Sequence, residues 1–292
     1  MQWSTEAPVP RSRFLLRIAA ITILGINGAM ASNLEVFHAD SLAGPMRELK
    51  QAFEAKNAGV TLRLTSGVSR ELAGRILNGE VCDVFASSSP AVIDEDLMQG
   101  RIGGSGREAA TWYVVFSANE MVVITARGNP LAIREVSDLA RPEVRFVRIT
   151  GEKDLGTART IEFVKRAAAR EGRPELASKI LDRAPVDPAT PTNVPGAVAA
   201  VREGKASAAV VYLSAAVAAG NDVEIIRFPE SVNQSEAIRN AATVPATARN
   251  ALEATAFVGF LLSAEARDIL QRTGQPPVIP ALRKGAVPVG IP

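Results

Sequence analysis

The chain has 292 residues, of which 47% are hydrophobic and 22% charged, enough for one large domain or two lobes. One cysteine excludes an intramolecular disulfide, and a single cysteine with a single histidine argues against a zinc site built from nitrogen and sulfur. The formal net charge is only +2, so the composition gives no argument for binding nucleic acid.

The first 31 residues have the order of a secretory signal. Three arginines within 11–17 precede an apolar run at 18–26, and the small residues of Ala29-Met30-Ala31 follow. This order predicts export to the periplasm with cleavage near Ala31, and the apolar run is too short to span a bilayer. The alternative is a disordered or core-packed N-terminus. Without this segment about 30 basic and 30 acidic residues remain, so the apparent basicity belongs to the export signal.

The first part of the mature chain alternates strand and helix patterns. In the predicted helix at 43–56, for example, Met46, Leu49 and Phe53 share one face. The order is βαβαβα, which is typical of a parallel sheet covered by helices. The predicted segments are strands at 34–37, 60–64 and 81–86, helices at 43–56 and 70–78, and a helix opened by Pro90.

A second unit begins near Asn119. Apolar runs predict strands at 121–126, 144–149, 208–212 and 223–228, and three- and four-residue spacing predicts helices at 157–171 and 194–203. Residues 248–273 predict two helices broken near Ser263. The tail from Gln275 is rich in proline and glycine, which predicts an extended chain.

Serines follow three of the predicted strands. Ser41, Ser69 and the run 87–89 each come between a strand and a helix, the place where α/β sheets bind ligands. Serine hydroxyls and the free N–H groups of a first helical turn bind an anion without arginine or lysine. The alternative for each serine is ordinary helix capping.

The segment His38-Ala39-Asp40-Ser41 also raises the question of a catalytic serine, histidine and aspartate. These residues are neighbours on an extended chain, where Ser41 points away from His38 and Asp40, so they are poorly placed to converge. The sequence contains no G-x-S-x-G elbow and no glycine-rich phosphate loop. His38 is therefore expected to be structural.

Four stretches resemble the periplasmic molybdate-binding proteins of ABC importers: VFHADSLAGPMRELKQAFE, SRELAGRILNGEVCDVFASSSPAVID, NEMVVIT and VPGAVAAVREGKASAAVVYLSAA. The H-A-x-S-L opening is most similar to the molybdate/tungstate-binding branch, and the resemblance runs with gaps from Leu34 to Gly274. It implies a type II periplasmic binding protein fold, in which two α/β lobes, each a mostly parallel sheet flanked by helices, are joined by two crossover strands. The expected lobes are 32–117 with 238–292, and 118–237.

The resemblance also implies how an oxyanion is held in the cleft between the lobes. The implied ligands are the hydroxyls of Ser41, Ser69 and Tyr212 and the backbone N–H groups of Gly156 and Val194. Two positions depart from the family pattern, because Asp40 replaces a small neutral residue and Thr157 replaces a glycine. For Tyr212 the alternative is a tyrosine packed at the end of a sheet.

The expected function is capture of molybdate or tungstate for delivery to a membrane ABC permease, by a monomer without a cofactor or a catalytic site. One alternative is a binding protein for another anion, a small organic acid or a metal complex, using Asp40 and His38. The other is an exported hydrolase using Ser41 or Cys82.

Overall fold

The computed structural model describes residues 1–3, 32–184 and 192–292. Apart from its first three residues, the predicted export signal at 1–31 lies outside the described residues. The strands are β1 Ser32–Ala39, β2 Val60–Gly67, β3 Val84–Ser87, β4 Trp112–Ala118, β5 Met121–Ala126, β6 Phe146–Val147, β7 Ala208–Tyr212, β8 Val223–Ile226, β9 Arg239–Thr243 and β10 Pro277–Gly285.

The described helices are α1 Ala43–Lys56, α2 Ser69–Leu77, α3 Leu155–Arg170, α4 Leu176–Arg183, α5 Val194–Arg202, α6 Leu213–Ala218, α7 Glu230–Asn233, α8 Ala251–Phe260 and α9 Ala264–Arg272, with a π-helix at Val92–Met98. The predicted helices are present in the predicted order, whereas α4, α6 and α7 were not predicted. The predicted break near Ser263 is confirmed, because the Ser263 side chain accepts a hydrogen bond from the N–H of Ala266 and caps α9.

The strands form two mixed sheets. Among the described residues, the first sheet has the order β10-β4-β9-β3-β1-β2 and the second β6-β7-β5-β8. β1 is parallel to β2 and β3, and β6 to β7, whereas the other pairings are antiparallel. This corrects the expectation that each sheet is mostly parallel. Every antiparallel pair includes β4, β5, β9 or β10. The strands β4 and β9 were not predicted. No helix lies between β4 and β5, so the chain passes from one strand directly to the next.

Helices cover both faces of each sheet. Successive strand residues point to opposite sides, so each strand contributes side chains to two cores. In β1, Leu34 and Val36 pack in one core with residues of α1, α8 and α9. Phe37, on the other face, packs in a separate core with residues of α2 and the π-helix. The second sheet is built the same way, with one core containing residues of α3 and α4 and the other containing residues of α5 and α6.

Two chain segments cross side by side between the sheets. β4 ends at Ala118 and β5 begins at Met121, so Asn119 and Glu120 form the first crossing. The second leads from α7 into β9, and the N–H of Asn119 donates to the carbonyl of Ile238 at 3.3 Å. The predicted limits of the lobes, at 117/118 and 237/238, stay a prediction.

The register of the first sheet brings the predicted serine positions together. Ala39, the last residue of β1, lies opposite Gly67 of β2, and His38 lies opposite Ala86 of β3. The carboxyl ends of these three parallel strands therefore meet at one edge of the sheet.

Asp83 ties this sheet to the start of α8. Its carboxylate is fully buried and accepts three backbone N–H bonds, each of 2.8 Å, from Glu35, Arg249 and Asn250. Replacing Asp83 by asparagine puts an NH₂ group where one acceptor oxygen is needed. We expect a loss of about 1.5 kcal/mol in the free energy of unfolding, measured by urea denaturation. The exposed Asp268→Asn variant is the matched control, and equal stability of the two variants would contradict this role.

Candidate anion-binding site

A cavity lies where the strand ends of the first sheet face helix starts of the second. The first sheet contributes Ala39, Asp40, Ser41, Gly67, Val68, Ser69 and Ser88, and the second contributes Asp154, Leu155, Val194 and Tyr212. The space open to the centre of a water-sized sphere is about 10 Å³, near the minimum that holds one water molecule. Four of the five predicted ligands line this cavity, and Gly156 does not.

Ser41 presents a buried hydroxyl with no hydrogen-bond partner among the described residues. It lies in a 3₁₀ turn, Asp40–Leu42, that continues β1, and it is only 3% exposed. The Ser41 carbonyl oxygen accepts two hydrogen bonds, one from the Ser214 hydroxyl and one from Gln275 Nε2 at 2.9 Å. The backbone is thus fixed while the hydroxyl remains available to a ligand.

Ser69 is the first residue of α2 and contacts Ser88. Its Oγ accepts a hydrogen bond from the Ser88 N–H at 3.2 Å and lies 3.3 Å from the Ser88 Oγ. The N-cap residue of α2 is Val68, which makes no side-chain capping bond. One proton of the two hydroxyls is used in the contact between Ser69 and Ser88, so the pair retains one O–H group for donation into the cavity.

The second sheet supplies helix starts rather than serines. Val194 begins α5, whose N-cap residue Asn193 accepts from the Gly196 N–H at 2.9 Å. Four N–H groups at a helix start have no carbonyl partner within the helix. Val194 is buried at the cavity, so its N–H is one candidate donor.

At the start of α3 the capping side chain changes which residue faces the cavity. Helix α3 begins at Leu155, two residues earlier than predicted, and Asp154 is its N-cap. The Asp154 Oδ1 accepts from the Gly156 N–H at 2.8 Å, which uses the group predicted to reach the anion. Leu155 lines the cavity in its place. Thr157, the second departure from the family pattern, donates its hydroxyl to the Gly151 carbonyl at 2.7 Å.

Tyr212 ends β7 and is paired with an arginine that the sequence analysis did not single out. Arg159, on α3, donates from Nη1 to the Tyr212 hydroxyl at 3.2 Å and from Nη2 to the Ser88 carbonyl at 3.1 Å. Arg159 therefore links the two sheets beside the cavity. Burial raises the pKa of Tyr212, so its hydroxyl keeps a proton that it can donate.

Two carboxylates also line the cavity. Asp40 does face it, and its Oδ1 accepts from the hydroxyl of Ser66 on β2. Burial raises the pKa of Asp154 to about 6. The hydrogen bond from Gly156 favours the charged form and lowers this pKa, but its effect is smaller than that of burial. The site therefore combines neutral donors with one nearby guanidinium and two acids.

A family model for bacterial extracellular solute-binding proteins matches residues 34–275. The chain belongs to this family. The molybdate-binding protein ModA of Mycobacterium bovis is 30% identical to this solute-binding protein over 250 residues, which cover 84% of each chain.

Two solved structures share the fold. The periplasmic molybdate-binding protein of Azotobacter vinelandii superimposes with a TM-score of 0.67 at 19% identity, covering 85% of this chain and 99% of that one. The sulfate-binding protein SubI of Mycobacterium tuberculosis gives a TM-score of 0.64 at 18% identity, covering 85% and 88%. The expected two-lobed α/β fold of periplasmic binding proteins is confirmed.

The residues of the hydrolase alternative do not form a catalytic set in the described part of the chain. His38 Nδ1 lies 2.9 Å from the Ala39 carbonyl, Asp40 accepts from Ser66, and Ser41 Oγ has no partner. Cys82 is fully buried, and burial raises the pKa of its thiol. Within the described ranges no group of three His, Cys, Asp or Glu could hold a metal, and no helix is long and apolar enough to cross a membrane.

One feature of the sequence points to Arg159, which was not among the predicted site residues. Residues four apart on a helix lie on the same face, so a ligand-facing residue at 155 puts Arg159 directly above it. The predicted helix began at 157, which hid this relation. Ser88 was within the predicted run 87–89, but its contact with Ser69 depends on the strand register.

Proposed function

We propose that this solute-binding protein captures a tetrahedral oxyanion, molybdate or tungstate, in the cavity between its sheets. The protein acts in the periplasm as a monomer without a cofactor, and it delivers the anion to a membrane ABC permease. The observation that carries the proposal is the buried, unpartnered hydroxyl of Ser41 at a cavity that Ser69, Val194 and Tyr212 also line. A buried hydroxyl without a partner costs about 1–3 kcal/mol, a cost that an anion would remove.

Donors from both sheets give the anion a role in closing the cleft. Ser41 and Ser69 belong to the first sheet, whereas Val194 and Tyr212 belong to the second. An anion bound by both groups stabilises the arrangement in which they face each other, which is the form we propose the permease recognises. We propose the N–H of Leu155, rather than that of Gly156, as the second backbone donor.

The size of the cavity favours a compact anion over an extended one. About 10 Å³ of space for a water-sized sphere is room for about one water molecule. The similarity to ModA over 84% of the chain supports molybdate within that class. His38 is buried beside the cavity rather than lining it, which gives no support to a metal complex held by His38.

Calorimetric titration against molybdate, tungstate, sulfate and phosphate tests the proposal. We expect molybdate and tungstate to bind with one site per chain and to raise the melting temperature, since a ligand of the folded state stabilises it. Chloride at the same ionic strength is the control. Failure of all four anions to bind or to stabilise the protein would contradict the proposal.

Tyr212→Phe should weaken molybdate binding by about tenfold with little change in stability. Phenylalanine fills the same buried space but removes the hydroxyl, whose bond to a charged ligand contributes about 1.5 kcal/mol. Calorimetry measures the affinity and thermal unfolding the stability. Tyr113→Phe, on β4 and away from the cavity, is the matched control. An unchanged affinity would mean that Tyr212 serves only to position Arg159.

A further inference from the structure

The two carboxylates in the cavity differ in their partners. Asp40 Oδ1 accepts a hydrogen bond from the Ser66 hydroxyl. The Asp154 Oδ1 accepts from the Gly156 N–H, whereas its Oδ2 receives no hydrogen bond from any residue that the structure describes. Asp154 therefore has one oxygen committed to capping α3 and one still able to carry a proton.

The charges that act on Asp154 come from several elements around the cavity. Asp40 after β1 and Glu71 on α2 raise its pKa, and Arg159 on α3 lowers it. Tyr212, at the end of β7, is the other titratable group of the cavity, and burial keeps it neutral. His38, two residues before Asp40, has a lowered pKa because it is buried, so it is neutral at pH 7. Among these groups, Arg159 supplies the positive charge.

An oxyanion placed in this cavity would be repelled by an ionised Asp154. The repulsion acts in a space that admits little water to screen it. A proton on the carboxyl changes the interaction from repulsion to a hydrogen bond, because a protonated acid donates one O–H. The unpartnered, buried hydroxyl of Ser41 independently marks the same cavity as one that takes an acceptor.

We propose that Asp154 takes up one proton from solvent when the cavity binds an oxyanion, and donates it as a hydrogen bond to the anion. The inference rests on the proposed function and assigns to Asp154 a role in affinity and selectivity. A fully ionised oxyanion such as sulfate or molybdate then binds together with a proton. An anion that carries its own proton, such as hydrogen phosphate, can supply it instead.

The sign of the pH dependence follows from linkage. If binding takes up one proton, affinity falls about tenfold for each pH unit above the pKa of the ligand-free acid. Since that pKa is raised to about 6, the fall should extend through pH 7 and 8 and level off below pH 6. Without proton uptake, affinity for an ionised anion should be nearly constant over this range.

Calorimetry at pH 7.5, in two buffers with different heats of ionisation, counts the protons taken up by the whole protein. With molybdate and with sulfate as probes, we expect close to one proton per anion bound by the wild type. Asp154→Asn should bind with an uptake near zero and with less than a threefold change of affinity from pH 6.5 to 8.5. Asparagine is as good an N-cap as aspartate and preserves the bond from Gly156, so folding is retained.

Control variants show whether the proton is taken up by Asp154 or by another acid. Asp268→Asn, at an exposed position on α9, should keep the full uptake, as should Asp40→Asn, because the inference assigns the proton to Asp154. Binding by the wild type without proton uptake would overturn the inference and leave the proposed function intact. Uptake lost in Asp40→Asn but kept in Asp154→Asn would also overturn it. If neither anion binds at all, the proposed function and the inference fail together.

Discussion

Replacing Ser41 by alanine is expected to weaken molybdate binding by roughly tenfold to a hundredfold while it stabilises the ligand-free protein. The Ser41 hydroxyl is buried at the cavity and has no hydrogen-bond partner there. In the proposed complex it donates to a charged ligand, and such a bond contributes about 1.5–3 kcal/mol. In the ligand-free protein the same group costs free energy because it has lost its bonds to water. A general packing defect would lower both quantities.

Two measurements on one purified variant test this pair of opposite effects. Titration calorimetry gives the change in affinity, and thermal unfolding gives the change in stability, with a rise of about 2–4 °C expected for each kcal/mol gained. Ser231→Ala, at an exposed position on α7, is the matched control and should change neither. An unchanged affinity for molybdate in Ser41→Ala would remove Ser41 from the site. A loss of stability together with affinity would make its role structural.

The serines of the site could be predicted because their position depends on local pattern. A serine that follows a strand and precedes a helix lies at the carboxyl edge of a parallel sheet wherever the strand pairs. For β1, β2 and β3 the pairing is parallel and in register, so Ser41 and Ser69 reach one cavity with Ser88. The strand and helix periods predicted these elements correctly, although the predicted ends differ from the observed ends by a few residues.

The backbone donors were harder to predict because they depend on how a helix begins. Periodicity alone placed the start of α3 at 157, but the Asp154 side chain caps the helix and starts it at Leu155. This shift of two residues directs the Gly156 N–H to Asp154 instead of the cavity. Asp154 was not among the predicted ligands, and it lies at the cavity as the residue that caps this helix.

The strands β4 and β9 were missed for different reasons. β9 is Arg-Asn-Ala-Ala-Thr, whose small and polar residues carry little strand signal although the strand is buried. β4 is Trp-Tyr-Val-Val-Phe-Ser-Ala, which is rich in strand-forming residues, but it is buried along its whole length and shows no alternation. Such strands are defined by their neighbours on both sides rather than by their own pattern.

Replacing Arg159 by methionine is expected to have the largest effect, lowering the affinity for molybdate by about a hundredfold. Arg159 is hydrogen-bonded to Tyr212 and Ser88, which lie on opposite sides of the cavity, and its positive charge lowers the pKa of Asp154. Methionine retains much of the volume but removes both bonds and the charge. Loss of one bond to a charged group and of the attraction for an anion together reach about 3 kcal/mol, which is about a hundredfold.

The conservative variant and a neighbour on the same helix make the result specific to Arg159. Arg159→Lys keeps the charge but lacks the planar fork that reaches two acceptors, so we expect a loss of about tenfold. Arg166→Met removes a half-buried arginine of α3 that pairs with Glu162 and Glu236, and should bind molybdate like the wild type. Because Arg159 links the two sheets, most of its effect should lie in a faster dissociation rate, measured by stopped-flow displacement. An equal loss in the Lys and Met variants would show that geometry, not charge, decides the affinity, and no loss in either would remove Arg159 from the site.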